Sequence, residues 1–482
     1  MVKNLKDELD ATLEAVNSFR VRAWLEGEKE ILECGKLTHE EWEKLLDYFV
    51  DDETERRKVL ITLKKLGNAT LPQLEQELGI PNFNIRKHLR LLEYEKLVER
   101  SDESKGDSET VYKPALKSEL SKTPYEKIKF IVDEKLCADC GACVSFCPVN
   151  AITIVDEAPV IDENKCIGCG ICNYVACPRT FLFLDLMRDY IKGASCNLEQ
   201  EPIASYKNAF SAQTKREEIR KVCQDGGIVT SLLTYLFDHK LIDGVLAVKK
   251  TGENWVSEPV VITNKEELLQ TAGTKYEVTP TLVGLEKAKK MGLKKIAVAG
   301  TPCQIQAVRK SQVFSDRLQE LMGDIAFIIG IFCMENFAYQ TMKKISEEYC
   351  KVSLENARKM DINKGQFSVH SKTGEKTSVP VKEVTSLARE ACHICPDLTN
   401  ELADISVGSI GSPPGWSTVL IRTERGKEVF QKAQDEGYLT SKPLEEAETG
   451  LPMVIKLAKG KRKRNLEKLE SKRAEGKYAT CF

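Results

Sequence analysis

Histidine is scarce. The 482 residues hold five, and none falls between residues 130 and 180. No Ser-His-Asp arrangement and no paired-carboxylate signature stands out, so hydrolytic chemistry of those kinds has no visible machinery. No apolar run reaches membrane-spanning length; Ile325 to Phe332 is typical, and a glycine interrupts it. Charge of one sign is not in excess, with 71 Lys and Arg against 73 Asp and Glu and a formal net charge of −2. A global basic bias toward nucleic acid is thereby excluded. The start, MVKNLKDELD, lacks a signal-peptide core, which places the expected location in the reducing cytoplasm. Also missing is a G-x-G-x-x-G after a strand with a following acidic residue, the usual nicotinamide fingerprint.

Cysteine, by contrast, is abundant at 17. In a reducing compartment that number implies metal ligation rather than bridges. Eight lie in two runs, Cys137-x2-Cys140-x2-Cys143-x3-Cys147-Pro148 and Cys166-x2-Cys169-x2-Cys172-x4-Cys177-Pro178. This is the bacterial two-cluster ferredoxin pattern, in which the fourth cysteine of each run ligates the other cluster. The expected ligand sets are Cys137, Cys140, Cys143 and Cys177 for one [4Fe–4S] cluster, and Cys166, Cys169, Cys172 and Cys147 for the other. Two zinc sites or a disulfide scaffold are the rival readings. Zinc knuckles usually carry four ligands each, often with histidine, and this stretch has none. The second run departs from the pattern by one residue, with Asn173 to Ala176 where three residues are usual.

The fold class expected is multidomain, α+β and α/β. Residues 1–50 read as a charged helical segment with Leu5, Leu9, Leu13 and Val16 on one stripe, serving packing or dimerisation. Residues 52–116 resemble a winged helix-turn-helix. Thr70 and Asn82 cap its later helices, the hairpin turns through Ser104 to Asp107, and Asn84, Arg86, Lys87 and Arg90 are offered to solvent. Residues 55–100 hold ten Lys and Arg against six Asp and Glu, a modest excess, so both DNA binding and protein docking stay open. A polar linker, 117–127, leads to the two-cluster ferredoxin domain at 128–185. From 200 to 450 strand-like runs at Gly244–Val248, Lys295–Gly300 and Ile325–Gly330 alternate with helical stretches, an α/β order with a buried sheet. Residues 451–482 form a basic tail, read as a solvated helix or a patch for an acidic partner.

Three segments of the α/β region suit a flavin nucleotide. Gln224-Asp225-Gly226-Gly227-Ile228-Val229-Thr230 is a glycine turn opening a helix, a ready phosphate site, although such turns also merely cap helices. Ala272-Gly273-Thr274-Lys275-Tyr276 adds a hydroxyl, a cation and a ring. Ala299-Gly300-Thr301-Pro302-Cys303-Gln304 follows a buried strand, where α/β proteins bind ligands. Cys303 and Cys333 each follow a buried strand at the same sheet edge. With Cys392 and Cys395 of the CHICPD segment they could converge on a third cubane, with Cys223 as the rival ligand. His393 is read as a bystander, and Cys34, Cys196, Cys350 and Cys481 as ordinary thiols. Ala403 to Trp416, strand-like and then glycine-rich, is read as a wall of the ring site or as a surface turn.

Taken in order, QDGGIVTSLL, AGTKYEVTP, GTPCQ, IFC, CHICPD and ADISVGSIG resemble the family of beta subunits of coenzyme F420 hydrogenases and dehydrogenases, over roughly residues 128–450. The resemblance implies an F420-dependent oxidoreductase with one FAD, held by the loops around Gly226, Gly227, Thr230, Thr274, Lys275 and Tyr276. It implies hydride exchange between FAD and coenzyme F420, and supports a third [4Fe–4S] cluster. It also implies a redox partner protein or a larger complex in archaeal methane metabolism. Lys275 is a candidate either for stabilising the reduced ring or for binding the FAD pyrophosphate. Two alternatives stay open: a redox-sensing DNA-binding regulator, and a family reductase acting on a different substrate.

Overall fold

The computed structural model describes residues 2–101, 109–115, 128–192, 201–252, 255–315, 324–477 and 480. The hairpin turn at Ser104–Asp107, the linker 117–127, and Cys196 and Cys481 lie outside the described residues.

Helices α1 (Val2–Val16), α2 (Phe19–Glu26), α3 (Glu28–Glu33) and α4 (His39–Leu66) open the chain. Thr38 starts α4 through a capping box with Glu41, and Gly67 ends it in a conformation only glycine adopts easily, φ 75°. On α1 the described leucines of the expected stripe face outward, open to the dimerisation role but not to packing within the chain. Leu9 and Leu13 are 69% and 62% exposed, while Ala11 and Ala15 are fully buried. The contact with α4 is close, and small side chains rather than leucines allow it.

After β1 (Ala69–Thr70) come α5 (Leu71–Leu78), α6 (Asn82–Tyr94), β2 (Val98–Arg100) and β3 (Val111–Pro114), with sheet order β1-β3-β2. Thr70 does cap α5, with Gln73 answering it, but α6 begins after Pro81, and Asn82 is its first helical residue. Val59, Leu63, Leu74, Ile85, Leu89 and Tyr112 form the core.

The basic residues of α6 are not offered to solvent. Lys87 is buried and donates to Asp52 at 2.6 Å. Arg86 pairs with Asp189 and Arg90 with Asp185 at 2.6 Å, both acids standing on the helix Leu184–Lys192. Phe83 packs on Tyr190 of that same helix. The helix that would read a DNA groove is therefore used inside the chain. Arg86→Ala with Arg90→Ala is expected to loosen this docking by about 2 kcal/mol, between surface and buried ion-pair values. Limited proteolysis should release residues 1–115 faster. DNA binding by the intact wild-type protein, abolished by these changes, would contradict this packing.

The ferredoxin unit contains α7 (Lys129–Asp133), α8 (Ala142–Ser145), the hairpin β4 (Ile152–Val155) and β5 (Ala158–Ile161), and then α9 (Leu184–Lys192). The extra residue before Cys177 is absorbed as one turn of π-helix, Cys172–Ala176, the usual form of a single-residue insertion in a helix. That turn carries Tyr174 into the N-terminal helices. Its hydroxyl donates to Glu95 at 3.2 Å, and the Arg20 guanidinium lies 5.1 Å from its ring centre. Gly141 is required twice over: its φ is 83°, and a Cβ there would come within 2.7 Å of the Pro280 carbonyl.

An eight-stranded sheet forms the rest. Its strands are β6 (Asn208–Thr214), β7 (Gly244–Thr251), β8 (Val256–Ile262), β9 (Ile296–Gly300), β10 (Ile325–Ile331), β14 (Ile405–Gly408), β15 (Ser417–Ile421) and β16 (Leu439–Pro443). They lie in the order β16-β6-β15-β14-β10-β9-β7-β8. β14, β10, β9 and β7 are parallel, as the buried runs suggest; the flanking strands are antiparallel. A separate sheet, β11 (Ala357–Asn363), β12 (Gln366–Ser371) and β13 (Lys376–Pro380), is an insertion the sequence did not announce. Short helices α10 (Glu217–Arg220) and α12 (Gly284–Lys290) lie in the connections between strands.

Period-two alternation sends Val245, Ala297, Phe327 and Ile329 to one face, under α11 (Ile228–Asp238) and the helix Glu424–Asp435. Leu246, Ile296, Val298 and Ile328 go to the other face, under α13 (Pro302–Phe314) and the ferredoxin unit. One continuous core thus joins the sheet, the ferredoxin unit and Trp24 and Phe49 of the N-terminal helices. Polar ties reinforce it. Lys310 of α13, fully buried, donates to the Asn173 and Cys177 carbonyls at 2.9 and 2.8 Å and to Thr180 Oγ1 at 2.8 Å.

The basic tail is a helix, Gly450–Ala474, but not a solvated one throughout. Val454, Ala458, Lys461, Asn465 and Leu469 are buried against the body. Arg462 and Arg188 both pair with Glu401, which is 1% exposed. Burial alone would raise the Glu401 pKa, but Arg188 and Arg462 outweigh it and hold it down at about 2. A folded pKa below the unfolded one stabilises the fold above the unfolded value. That stability is lost as pH falls through the folded value. Acid titration of wild-type stability should therefore show a loss between about pH 4.5 and 2 that Glu401→Gln removes. Identical acid profiles would refute the assignment.

No described helix is long and apolar enough to cross a membrane.

Candidate functional site

Parallel strands end at one edge of the sheet, and the thiols gather there. β9 ends at Gly300, and Thr301 caps α13 in a capping box with Gln304, with Pro302 in the first turn. The GTPCQ sequence is thus a strand end and a helix start, with Cys303 in the first turn beside exposed amides. β10 ends at Ile331 and delivers Cys333 two residues on. Asn400 clamps the two strand ends, donating to the Gly300 carbonyl at 2.9 Å and the Ile331 carbonyl at 3.3 Å. Cys392 and Cys395 come from the loop before β14. All four thiols line one cavity with an empty volume of about 470 Å³. Asn336 N donates to Cys392 Sγ at 3.4 Å, and Cys333 Sγ meets Asn336 Oδ1 at 3.2 Å.

In the ferredoxin unit the thiols fall into two groups. Cys137, Cys140 and Cys143 each feel Cys177; Cys169 and Cys172 each feel Cys147 and Cys166. Backbone amides point at the sulfurs: Asp139 N on Cys137 at 3.3 Å, Ala151 N on Cys147 at 3.3 Å and Arg179 N on Cys177 at 3.4 Å. Among the described residues, no three or more His, Cys, Asp or Glu side chains close tightly enough for a single metal ion. A cubane takes one thiolate at each of four corners and needs that wider spacing.

Burial, before any other cause, pushes the Cys137 thiol up to about 12, Cys169 to about 12 and Cys392 to about 11. As bare thiols these three would keep their protons at neutral pH; iron would supply the positive charge that makes the thiolates favourable. Buried and half-buried sulfurs with amide donors fit iron–sulfur clusters at all three places. Cys223 does not line the third cavity; its Sγ donates to the Asp225 carbonyl at 2.9 Å. Cys350 is fully buried in the core under the β11–β13 sheet.

The three flavin segments come to the same sheet edge. Gly227, φ 72°, opens α11, whose first-turn amides lack intrahelical partners and suit a diphosphate. Gly226 is needed for protein packing rather than for open space, since a Cβ would lie 2.6 Å from Ser417 N. Thr230 is buried in α11. Gln224 Oε1 accepts from Thr274 N at 3.2 Å, which binds the first segment to the second. Lys359 of β11 donates to the Gln224 carbonyl at 2.8 Å.

Lys275 is turned onto its own loop, donating to the carbonyls of Thr271 at 2.6 Å, Ala272 at 2.9 Å and Gly273 at 3.0 Å. Burial, then Lys250, lowers its pKa to about 8. With Tyr276, Trp255, Glu277, Tyr339 and Met360 it lines a second cavity of about 240 Å³. Of the Ala403–Trp416 segment, Ile405–Gly408 is a central strand; the glycine-rich remainder sits at the edge where Cys303 and Cys333 lie.

Sequence reasoning missed Arg179, Lys461 and Asn465. All three meet the third cavity or its loops: Asn465 Nδ2 donates to the Cys392 carbonyl at 2.9 Å and the Cys395 carbonyl at 2.7 Å. Their i, i+4 spacing put Lys461 and Asn465 on one face, but the run of lysines and arginines around them masked it.

A ferredoxin-like set of thiols joined through one core to a mixed sheet, with a third set at the sheet's carboxyl edge, defines an iron–sulfur redox protein. Comparisons with known proteins agree. Residues 209–286 and 293–447 match the N-terminal and C-terminal parts of the coenzyme F420 hydrogenase/dehydrogenase beta subunit, and residues 130–153 match a 4Fe-4S binding domain. The coenzyme F420 hydrogenase subunit beta of Methanosarcina barkeri is 39% identical over 280 residues, 58% of this chain and 96% of that one. One of the F(420)H(2) dehydrogenase subunits of Methanosarcina mazei is 34% identical over 367 residues, 73% of this chain and 97% of that one. A coenzyme F420-dependent sulfite reductase of Methanocaldococcus jannaschii is 36% identical over 74% of this chain and 54% of its own length. Among solved structures, a chain of the F420-reducing [NiFe] hydrogenase complex from Methanosarcina barkeri superposes with a TM-score of 0.55 at 39% identity, covering 57% of this chain and 96% of that one. The chain belongs to the family of coenzyme F420 hydrogenase/dehydrogenase beta subunits, and with it to the F420-dependent oxidoreductases.

Proposed function

We propose that this protein exchanges a hydride between coenzyme F420 and a bound FAD, and single electrons through three [4Fe–4S] clusters with a protein partner. The ligand sets are Cys137, Cys140, Cys143 and Cys177; Cys147, Cys166, Cys169 and Cys172; and Cys303, Cys333, Cys392 and Cys395. When bound, the flavin supplies the step that couples a two-electron hydride carrier to one-electron clusters. The chain's residues hold and shield it: α11's amides and Thr274 suit its phosphates, and the glycine-rich turn after β14 suits a flat ring.

One observation carries this reading. The third set of thiols shares its cavity wall with Ala138 and Arg179, which adjoin Cys137 and Cys177 of the ferredoxin unit. Two thiol groups next to each other, and a third beyond them in the same unit, make a continuous route from the sheet edge outward. Relatives named as subunits of a hydrogenase support a larger complex as the partner.

Protein purified without oxygen should carry about twelve irons, four per cubane, and release one FAD per chain on denaturation. Eight irons would remove the third cluster. Zinc in place of iron would sink the whole proposal.

A further inference from the structure

Two cations are buried at the third cavity. Arg179 is 2% exposed and Lys461 3% exposed, and both line it. Neither belongs to the matched family segments, 209–286 and 293–447. One follows the last ferredoxin cysteine; the other projects from the C-terminal helix.

Arg179 touches ligands of two clusters. Its backbone N donates to Cys177 Sγ at 3.4 Å, and its guanidinium hydrogen-bonds to Cys395 and reaches Gln306 Oε1 at 3.4 Å. Lys461 Nζ donates to the carbonyls of Cys333 at 2.6 Å and Asp397 at 2.8 Å. Those acceptors are neutral. The Asp397 carboxylate is itself engaged by the amides of Asn400 and Glu401, at 2.7 and 3.0 Å.

Bridging carbonyls does not require a charge. Asn465, one turn along the same helix, ties the Cys392 and Cys395 carbonyls with a neutral amide. Both cations act on the thiols of this cavity: Cys395, Cys333 and Cys392, together with Asp397, act on Lys461, and Cys395, Cys303 and Cys392 act on Arg179. A thiolate-bound cluster would place its negative charge beside both.

We propose that Arg179 and Lys461 are positioning residues for electron transfer, two fixed cations that raise the reduction potential of the cluster held by Cys303, Cys333, Cys392 and Cys395. The inference rests on the third cluster proposed above. On reduction that cluster gains one electron from the reduced flavin; no bond forms or breaks, and its negative charge grows by one. A cation held nearby in low dielectric stabilises that state. Arg179 also contacts Cys177, so its charge acts on the next cluster as well and keeps the two potentials matched for transfer in either direction.

The test is a redox titration of the full-length holoprotein followed by electron paramagnetic resonance, after iron counting. Arg179→Met and Lys461→Gln should keep about twelve irons, four per cubane. At a fixed potential Lys461→Gln should lower the reduced-to-oxidised ratio of one cluster about tenfold, and Arg179→Met that of two, equivalent to about 59 mV for a one-electron couple. Arg179→Lys and Lys461→Arg should restore the wild-type midpoint. Lys463→Gln, which removes a charge that is 80% exposed, should not move it. Full iron with unmoved midpoints would overturn the charge role while leaving the third cluster intact. So would loss of about four irons in the neutral and the charge-conserving variants alike, because the residues would then be structural. About eight irons in the wild type would remove the cluster and this proposal with it.

Discussion

Replacing Cys392 or Cys395 with Ser is expected to remove about four irons, one cubane, while FAD stays bound. Both thiols come from one short loop, and each lines the cavity together with Cys303 and Cys333. A serine oxygen at a buried corner is a poor substitute for a thiolate toward iron, because soft sulfur ligands select iron–sulfur clusters. Losing the cluster also breaks the route to the ferredoxin unit. Reduction of a viologen dye should fall by more than about tenfold, since losing an outer-shell partner of a metal already costs 10–100-fold. Two of the three flavin segments, 224–230 and 272–276, contribute no residue to this cavity, so FAD should stay bound. Cys350→Ser is the control. That thiol is fully buried among Phe337, Met360 and Phe367, away from the cavity. It should cost about 1 kcal/mol of stability and leave iron and activity unchanged. Full iron and full activity in Cys392→Ser and Cys395→Ser would show that neither is a ligand.

Reduced coenzyme F420 should bleach the flavin and cluster absorbance in a stopped-flow instrument at least about a hundredfold faster than NADH or NADPH, a difference of about 2.7 kcal/mol in barrier. Hydride transfer depends on stacking and orientation, so a donor that cannot stack in register gains little from proximity. The chain lacks the glycine fingerprint that cradles a nicotinamide dinucleotide. Gly226→Val should abolish the fast phase and release FAD. The reason is local packing: a Cβ there runs into the Ala212 carbonyl and Ser417 N, which displaces the whole turn before α11. Fast reduction by NADH with F420 inert would overturn the substrate assignment and leave the relay of clusters standing.

The sequence by itself determined whatever is local. The cysteine spacing of the ferredoxin unit is a backbone property, because each CxxCxxC loop needs only its own residues. The parallel strands at Ile296–Gly300 and Ile325–Ile331 are apolar on both faces, so their burial is written in continuous runs. Thr301 to Gln304 carries its own capping box. The extra residue before Cys177 was visible as a count, although its form, a π-turn that aims Tyr174 at Glu95, was not.

Tertiary structure decided whatever depends on a partner far along the chain. Arg86 and Arg90 look like groove readers until Asp189 and Asp185, about a hundred residues away, are set against them. Lys461 and Asn465 sit in a run that reads as solvated, yet the helix folds back 128 residues to the Cys333 carbonyl and 73 to the Cys392 carbonyl. Lys275 looks like a cofactor cation, and the fold turns it onto the carbonyls of its own loop. The reason is common to all three. A long cationic side chain has no fixed address in sequence; its place is set by which carboxylates, carbonyls or thiolates the fold brings within hydrogen-bond reach, and burial then holds it there.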